Sequence, residues 1–185
     1  DVGTDNVAIG NQAMYSTTSG TDNIAIGSGA LYSNTTANGN IAIGTYALRN
    51  NSTGYSNIAL GYRALTANTT GNDNVALGDS TLRNNITGSG NTAVVQSVLY
   101  ESTSSNNSGF GNSALRNNTS GEGLAAFGYQ SLYSNTTGSY NTANGYQALL
   151  NNTTADMNSA FGFRALYSNT TGARNNATGY NALYS

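Results

Sequence analysis

The side chains able to do chemistry in this chain are few in kind. His, Cys and Lys are all absent from its 185 residues. That removes the commonest general base, every thiol nucleophile and the imine-forming amine, and it leaves no disulfide and no thiolate metal site. What remains is eight carboxylates, six arginines and thirteen tyrosines. Paired carboxylates carry glycoside hydrolysis, and Asp5 and Asp22 lie 17 residues apart at equivalent places in a repeating phrase. They lack a calcium-loop pattern around them, so they read as solvated surface acids. The glycines recur singly and never build a lysine-bearing phosphate loop. These residues point to a non-enzymatic protein with no catalytic residue, no metal site and no cofactor.

The tyrosines have more to offer. Tyr129, Tyr146, Phe163 and Tyr180 recur every 17 residues, and so do many of Tyr15, Tyr32, Tyr100, Tyr133, Tyr167 and Tyr184. Tyrosine combines rigid contact area with a hydroxyl at small entropic cost, which makes the first four a candidate ligand surface for a glycan or a protein. The same rows also read as rings stacked on one another, shielding an edge or filling a groove between chains, and that simpler reading takes precedence. Asn-x-Ser/Thr triplets at Asn34, Asn51, Asn68, Asn135, Asn152 and Asn169, with further copies at Asn85 and Asn118, are candidate glycosylation acceptors. A stacked turn built from Asn, Thr and Gly predicts the same spacing and is preferred.

What positions all of these residues is a repeat. Asn57-Ile58-Ala59-Leu60-Gly61 returns as Asn40-Ile41-Ala42-Ile43-Gly44 and as Asn74-Val75-Ala76-Leu77-Gly78. Counted from two residues before the repeated Asn, units begin at Thr4, Thr21, Asn38, Tyr55, Asn72, Ser89, Ser105, Glu122, Ser139, Asp156 and Ala173. The third position is Asn except at Leu124, the fifth Ala except at Gly109, the seventh Gly except at Val95, and the eleventh Leu or Met throughout. One residue is lost within the irregular unit near 89–111, which reads as a tolerated fault in a single array spanning 1–185.

Seventeen residues are too few for a helix pair, which takes about 33 or more in helical repeats. They suffice for one coil of a parallel β-solenoid. The Asn-Ile-Ala-Ile-Gly phrase reads as a short strand, Gly as a corner, Ala-Leu as a second inward contact in a short strand or a single helical turn, and Asn-Thr-Thr-Gly as a closing turn. Proline is absent, as expected where nearly every N–H donates to a ladder. About eleven coils spaced by about 4.8 Å make a rod of roughly 50 Å. Equivalent Asn residues at the third position then stack into an amide ladder.

Strand geometry sends the fifth position one way and the fourth and sixth the other. Ala and Leu at positions five and eleven are the candidate interior, the alternative being positions four and six inside with Ala facing outward. Outside lies an apolar row at position six, in which Ile9, Ile26, Ile43, Leu60, Leu77, Phe110, Phe127 and Phe161 are the candidate oligomer interface. A stripe that long is too large for a soluble monomer, so a homo-oligomer or homopolymer is expected. A net charge of −2 with 8% charged residues excludes the dense cationic row that nucleic acid needs, and no apolar run is long enough to insert in a membrane.

The recurring Asn-(Val/Ile)-Ala-(Ile/Leu)-Gly motif resembles the YadA-type head repeat of trimeric autotransporter adhesins. The phrase Gly-Tyr-Gln-Ser-Leu-Tyr-Ser-Asn-Thr-Thr-Gly at 128–138 is similar to repeats of bacterial surface and phage-fibre-like proteins. The resemblance covers essentially the whole chain, although each coil is three residues longer than the adhesin unit. It implies a left-handed parallel β-roll, a trimer, an extracellular or cell-surface place and a role as a structural or adhesive fibre segment meeting a host glycan or surface protein. A subunit stacking end to end into a filament and a phage tail-fibre-like receptor-binding module are the alternatives. The chain starts and stops in mid-repeat, which predicts that it is cut from something longer.

Overall fold

A computed structural model describes residues 3–184. It is all-β, with eleven strands of three residues each. They are β1 (Val7–Ile9), β2 (Ile24–Ile26), β3 (Ile41–Ile43), β4 (Ile58–Leu60), β5 (Val75–Leu77), β6 (Thr92–Val94), β7 (Ser108–Phe110), β8 (Ala125–Phe127), β9 (Thr142–Asn144), β10 (Ser159–Phe161) and β11 (Asn176–Thr178). They form one sheet in sequential order, every neighbouring pair parallel. Ala25 pairs with Ala42 and Ala42 with Ala59, so each block of seventeen residues winds once and lies on its predecessor. The one shortened unit keeps the register, with Thr92 opposite Ser108 and Val94 opposite Phe110.

The central residue of each strand points inward. Ala25, Ala42, Ala59, Ala76, Ala93, Ala126, Ala143 and Ala160 are fully buried, and so are Leu31, Leu48, Leu65, Leu82, Leu99, Leu115, Leu132 and Leu149. The small residues at position ten join them, from Ala30 to Ala165. The flanking strand residues face out. The interior is therefore a set of narrow columns, in which one methyl group and one isobutyl group repeat down the axis.

Two further interior columns are polar. Asn40 Nδ2 donates to Asn23 Oδ1 at 3.2 Å and to Gly54 O at 2.9 Å, while Asn40 Oδ1 accepts from the Asn57 backbone N–H at 2.9 Å. This ladder at position three is the expected one. The second, at position fourteen, was not foreseen as interior: Asn68 Nδ2 donates to Asn51 Oδ1 at 2.8 Å and to Gly71 O at 3.0 Å. Most of these amides bond within their own coil and to the adjacent one, so most of the buried polar atoms find a protein partner; Asn34 Oδ1, Asn85 Oδ1 and Asn158 Nδ2 are exceptions.

The Ala-Leu segment is neither a second strand nor a helical turn. It is a run of turns in which the leucines take left-handed backbone angles, φ 49 at Leu31 and Leu48 and 50 at Leu65. A bulky residue in that region is uncommon. It persists because the conformation sends the leucine inward and lines up the ladder: Leu31 N–H reaches Ala47 O at 3.0 Å, and Ser33 N–H reaches Arg49 O at 2.9 Å, both in the next coil. Tyr46 N–H reaches back to Ser28 O at 2.9 Å. Hydrogen bonding between coils thus continues well beyond the strands.

The corner at position seven is where glycine is required. Gly27 has φ 133 and Gly44 has φ 132, a conformation only glycine adopts without strain. A Cβ on Gly27 would also stand 2.7 Å from the Gly44 carbonyl. Val95 occupies this corner at φ 85, and there the next ladder bond, Gly111 N–H to Val94 O, stretches to 3.3 Å against 2.8 Å for Gly27 N–H to Ile9 O.

Candidate functional site

The coil presents two unlike outer faces. The sheet face carries positions four and six. Along position six, Ile9 is 58% exposed, Leu60 47%, Phe127 39% and Phe161 41%, with Ile26, Ile43, Leu77 and Phe110 half-buried. Phe110 and Phe127 stack with ring centroids 5.0 Å apart. The structure therefore aligns all the proposed interface residues in one outward row.

The opposite face is built by the turn run. Position nine is left-handed in every coil, from Gln12 at φ 56 to Asn181 at φ 52, and this brings the side chains of positions eight, nine and twelve together. Arg164, at position nine, shows the adjacency: its guanidinium carbon lies 5.1 Å from the Phe163 ring centre and 5.2 Å from that of Tyr167. Beside the rings runs a polar row in which Gln147 Nε2 donates to Gln130 Oε1 and Arg164 Nε donates to Gln147 Oε1, each at 2.9 Å.

Tyr129, Tyr146, Phe163 and Tyr180 form one continuous stack, with centroids 5.2, 5.3 and 5.0 Å apart and neighbouring planes within 18°. Face-to-face stacking has a chemical consequence. The two interior rings, Tyr146 and Phe163, have a ring on each face, so the exposure of Tyr146, 43%, belongs to its edge and hydroxyl. A ligand laid flat on a ring can use only the two end rings, Tyr129 at 42% and Tyr180 at 76%. Elsewhere the row is a comb of hydroxyls flanked by Gln and Arg donors. The position-twelve row is broken at Arg49, Thr66 and Arg83 and again at Arg116 and Leu150; Tyr15 stacks on Tyr32 and Tyr167 on Tyr184.

In the first half of the rod the same face is cationic. Arg49, Arg63 and Arg83, with Tyr46 and Thr66, line an open cleft of about 400 Å³. No motif in the sequence marks this group. The available signal was that Arg49 and Arg83 share position twelve, with the short Thr66 between them.

The proposed glycosylation acceptors are corrected by the structure. Asn34, Asn51, Asn68, Asn135 and Asn152 are fully buried, and the Nδ2 atom that would carry a sugar is committed inside the coil, as in Asn152 Nδ2 to Asn135 Oδ1 at 2.9 Å and to Ala155 O at 3.0 Å. Asn169 makes the same two bonds at 3.1 and 2.9 Å. These residues serve the turn and are closed to an oligosaccharide in the folded rod. Asp5 and Asp22 are exposed, and no group of three or more His, Cys, Asp or Glu able to hold a metal ion occurs among the described residues.

The chain matches no protein-family model, no curated protein and no solved structure. The resemblance to adhesin head repeats accordingly rests on the repeated motif itself.

Proposed function

We propose that this chain is a non-enzymatic structural and adhesive segment of an extracellular fibre. In this reading it is a stiff rod whose sheet face packs against further copies of itself, three being the favoured number, and whose turn face meets a host glycan or surface protein. The observation that carries the reading is the division of labour between two faces of one coil. The position-six row is apolar and outward over eight successive coils, from Ile9 to Phe127, and contiguous apolar surface of that kind marks an association site. The other face bears side chains of varied chemistry on a backbone that does not vary. Stiffness follows from the inter-coil bonding, which runs through strand, corner and turn alike.

The test has two arms. Particle mass in solution reads the association, and a single-chain mass at all concentrations would remove it. A glycan array reads the adhesion. Because the rings shield each other, recognition falls to the hydroxyls, so Tyr146→Phe should weaken binding as much as Tyr146→Ala. Equal binding by wild type and both variants would remove the aromatic comb as the ligand surface.

A further inference from the structure

Three of the six arginines of this lysine-free chain stand on three successive coils around one notch. Arg49 and Arg83 occupy position twelve on the third and fifth coils. Thr66 occupies it between them, and Arg63 flanks it at position nine on the same coil as Thr66. A threonine in a row of arginines leaves a hollow the depth of the missing side chain, and the three cationic side chains line that hollow.

The arginines are held by rings. The Arg49 guanidinium lies over Tyr32 and Tyr46 at 5.1 and 5.3 Å, and that of Arg63 over Tyr62 at 4.9 Å. Arg83 lies over Tyr100 at 5.5 Å and donates from Nη1 to the Tyr100 hydroxyl. Tyr46 can lie low because residue 29 is glycine; a Cβ there would stand 2.9 Å from the Tyr46 ring. The floor is fixed as well, since the Thr66 hydroxyl donates to Tyr46 O at 3.0 Å. Cation–π contacts orient a guanidinium and leave its N–H edge free to donate.

Charge is uncompensated. No carboxylate is among the residues that line the cleft. Asp79, on the coil of Arg83, takes the Ser80 hydroxyl at 2.6 Å and does not line the cleft. Arg49 Nε is buried and has no hydrogen-bond partner, although a buried donor normally finds one. Three like charges around one hollow repel each other, and an anion seated there relieves that repulsion while accepting from the planar guanidinium forks.

We infer that the Arg49–Arg63–Arg83 notch binds an acidic sugar through its oxyanion, whether sulfate ester, carboxylate or phosphate ester. An open cleft of about 400 Å³ has room for a sugar ring behind the anion, and Tyr46 in its lining gives that ring an aromatic residue to pack on. This site is separate from the aromatic comb of the later coils and stands or falls without it.

The test is an NMR titration of the full chain, following the arginine Nε–Hε signals and the Thr66 amide. The probes are N-acetylglucosamine 6-sulfate, glucuronate, glucose 6-phosphate, neutral glucose and inorganic sulfate. At least one acidic sugar should give saturable shifts at Arg49, Arg63 and Arg83, bind more tightly than inorganic sulfate, and weaken as salt rises, while glucose gives none. Arg63→Gln should lower the affinity about tenfold or more, a loss typical of removing one charge-assisted bond. Arg174→Gln removes an exposed arginine of the last coil, far from the notch, and should leave the affinity unchanged. The proposal is overturned if no acidic sugar gives saturable shifts, if inorganic sulfate binds as tightly as the sugars, or if Arg174→Gln weakens binding as much as Arg63→Gln. The variant's own spectrum reports whether it is folded.

Discussion

Val98 fills the space that a side chain at residue 109 would need. Val98 replaces the usual alanine of position ten, Gly109 replaces the usual alanine of position five on the next coil, and a Cβ at 109 would collide with Val98 Cγ1. Val98 is fully buried, so the two departures offset each other in volume. Gly109→Ala alone should overpack the column and cost about 1–3 kcal/mol. Val98→Ala alone should leave a small void. The double variant, with the standard residue at both places, should recover most of the loss. A double-mutant cycle by urea denaturation checks this, and a coupling energy near zero contradicts it.

The amide ladder makes a second claim measurable. Asn57 donates to Asn40 Oδ1 and to Gly71 O, and it accepts from the backbone and side-chain N–H groups of Asn74 at 3.0 and 3.1 Å. Asn57→Ala strands those groups in the interior and should cost about 2–4 kcal/mol, several times one net hydrogen bond. Asn84→Ala, outside the coil, should change stability by no more than about 0.5 kcal/mol. The two unfolding curves compared side by side decide it.

The ladder also has a natural break. Leu124 takes the place of Asn at position three and is 2% exposed. Its N–H still donates to Asn107 Oδ1 at 3.0 Å, yet it offers the next coil no oxygen. Leu124→Asn should restore an acceptor for Asn141 and protect the Asn141 amide from hydrogen exchange. Unchanged exchange at Asn141 would show that the break is already satisfied in another way.

Val95 sits at the glycine corner with positive φ, an outlier for a β-branched residue. Backbone strain of this kind is worth about 1–3 kcal/mol, partly offset by the greater freedom glycine has when unfolded. Val95→Gly should therefore raise the urea midpoint, with a net gain of about 1 kcal/mol. A lowered midpoint would mean that the corner carries no strain.

The sheet face supplies a prediction about mass. Leu60→Lys combined with Leu77→Lys places two charges in the middle of the outward apolar row without touching the interior column. Sedimentation equilibrium should show dissociation to single chains, while the unfolding midpoint of those chains stays within the range of ordinary surface changes. An unaltered oligomer would place the interface elsewhere.

Much of this architecture was legible beforehand, for identifiable reasons. The inward column of Ala25 and Leu31 announced itself because interior residues of stacked coils cannot vary without leaving holes. The strand Ile24–Ile26 followed from alternation, and the Gly27 corner from the steric privilege of glycine. The left-handed leucines did not show, because leucine has no preference for that region; the stacked coils impose it. Nor did the burial of Asn51 and Asn68, since an Asn-Thr-Gly turn reads the same whether its amide faces in or out. The Arg49–Arg63–Arg83 notch was hidden for a third reason. It joins positions nine and twelve, whose adjacency depends on turn geometry that residue types alone do not fix.

Position nine carries Gln12, Gly29, Tyr46, Arg63, Ser80 and Arg164 at φ values between 52 and 64. Amide, hydrogen, phenol, guanidinium and hydroxyl all stand on the same bend at the same address. Recognition chemistry can therefore be rewritten one winding at a time without renegotiating the scaffold beneath it, and a duplicated winding arrives as a blank tile whose lettering is free to change.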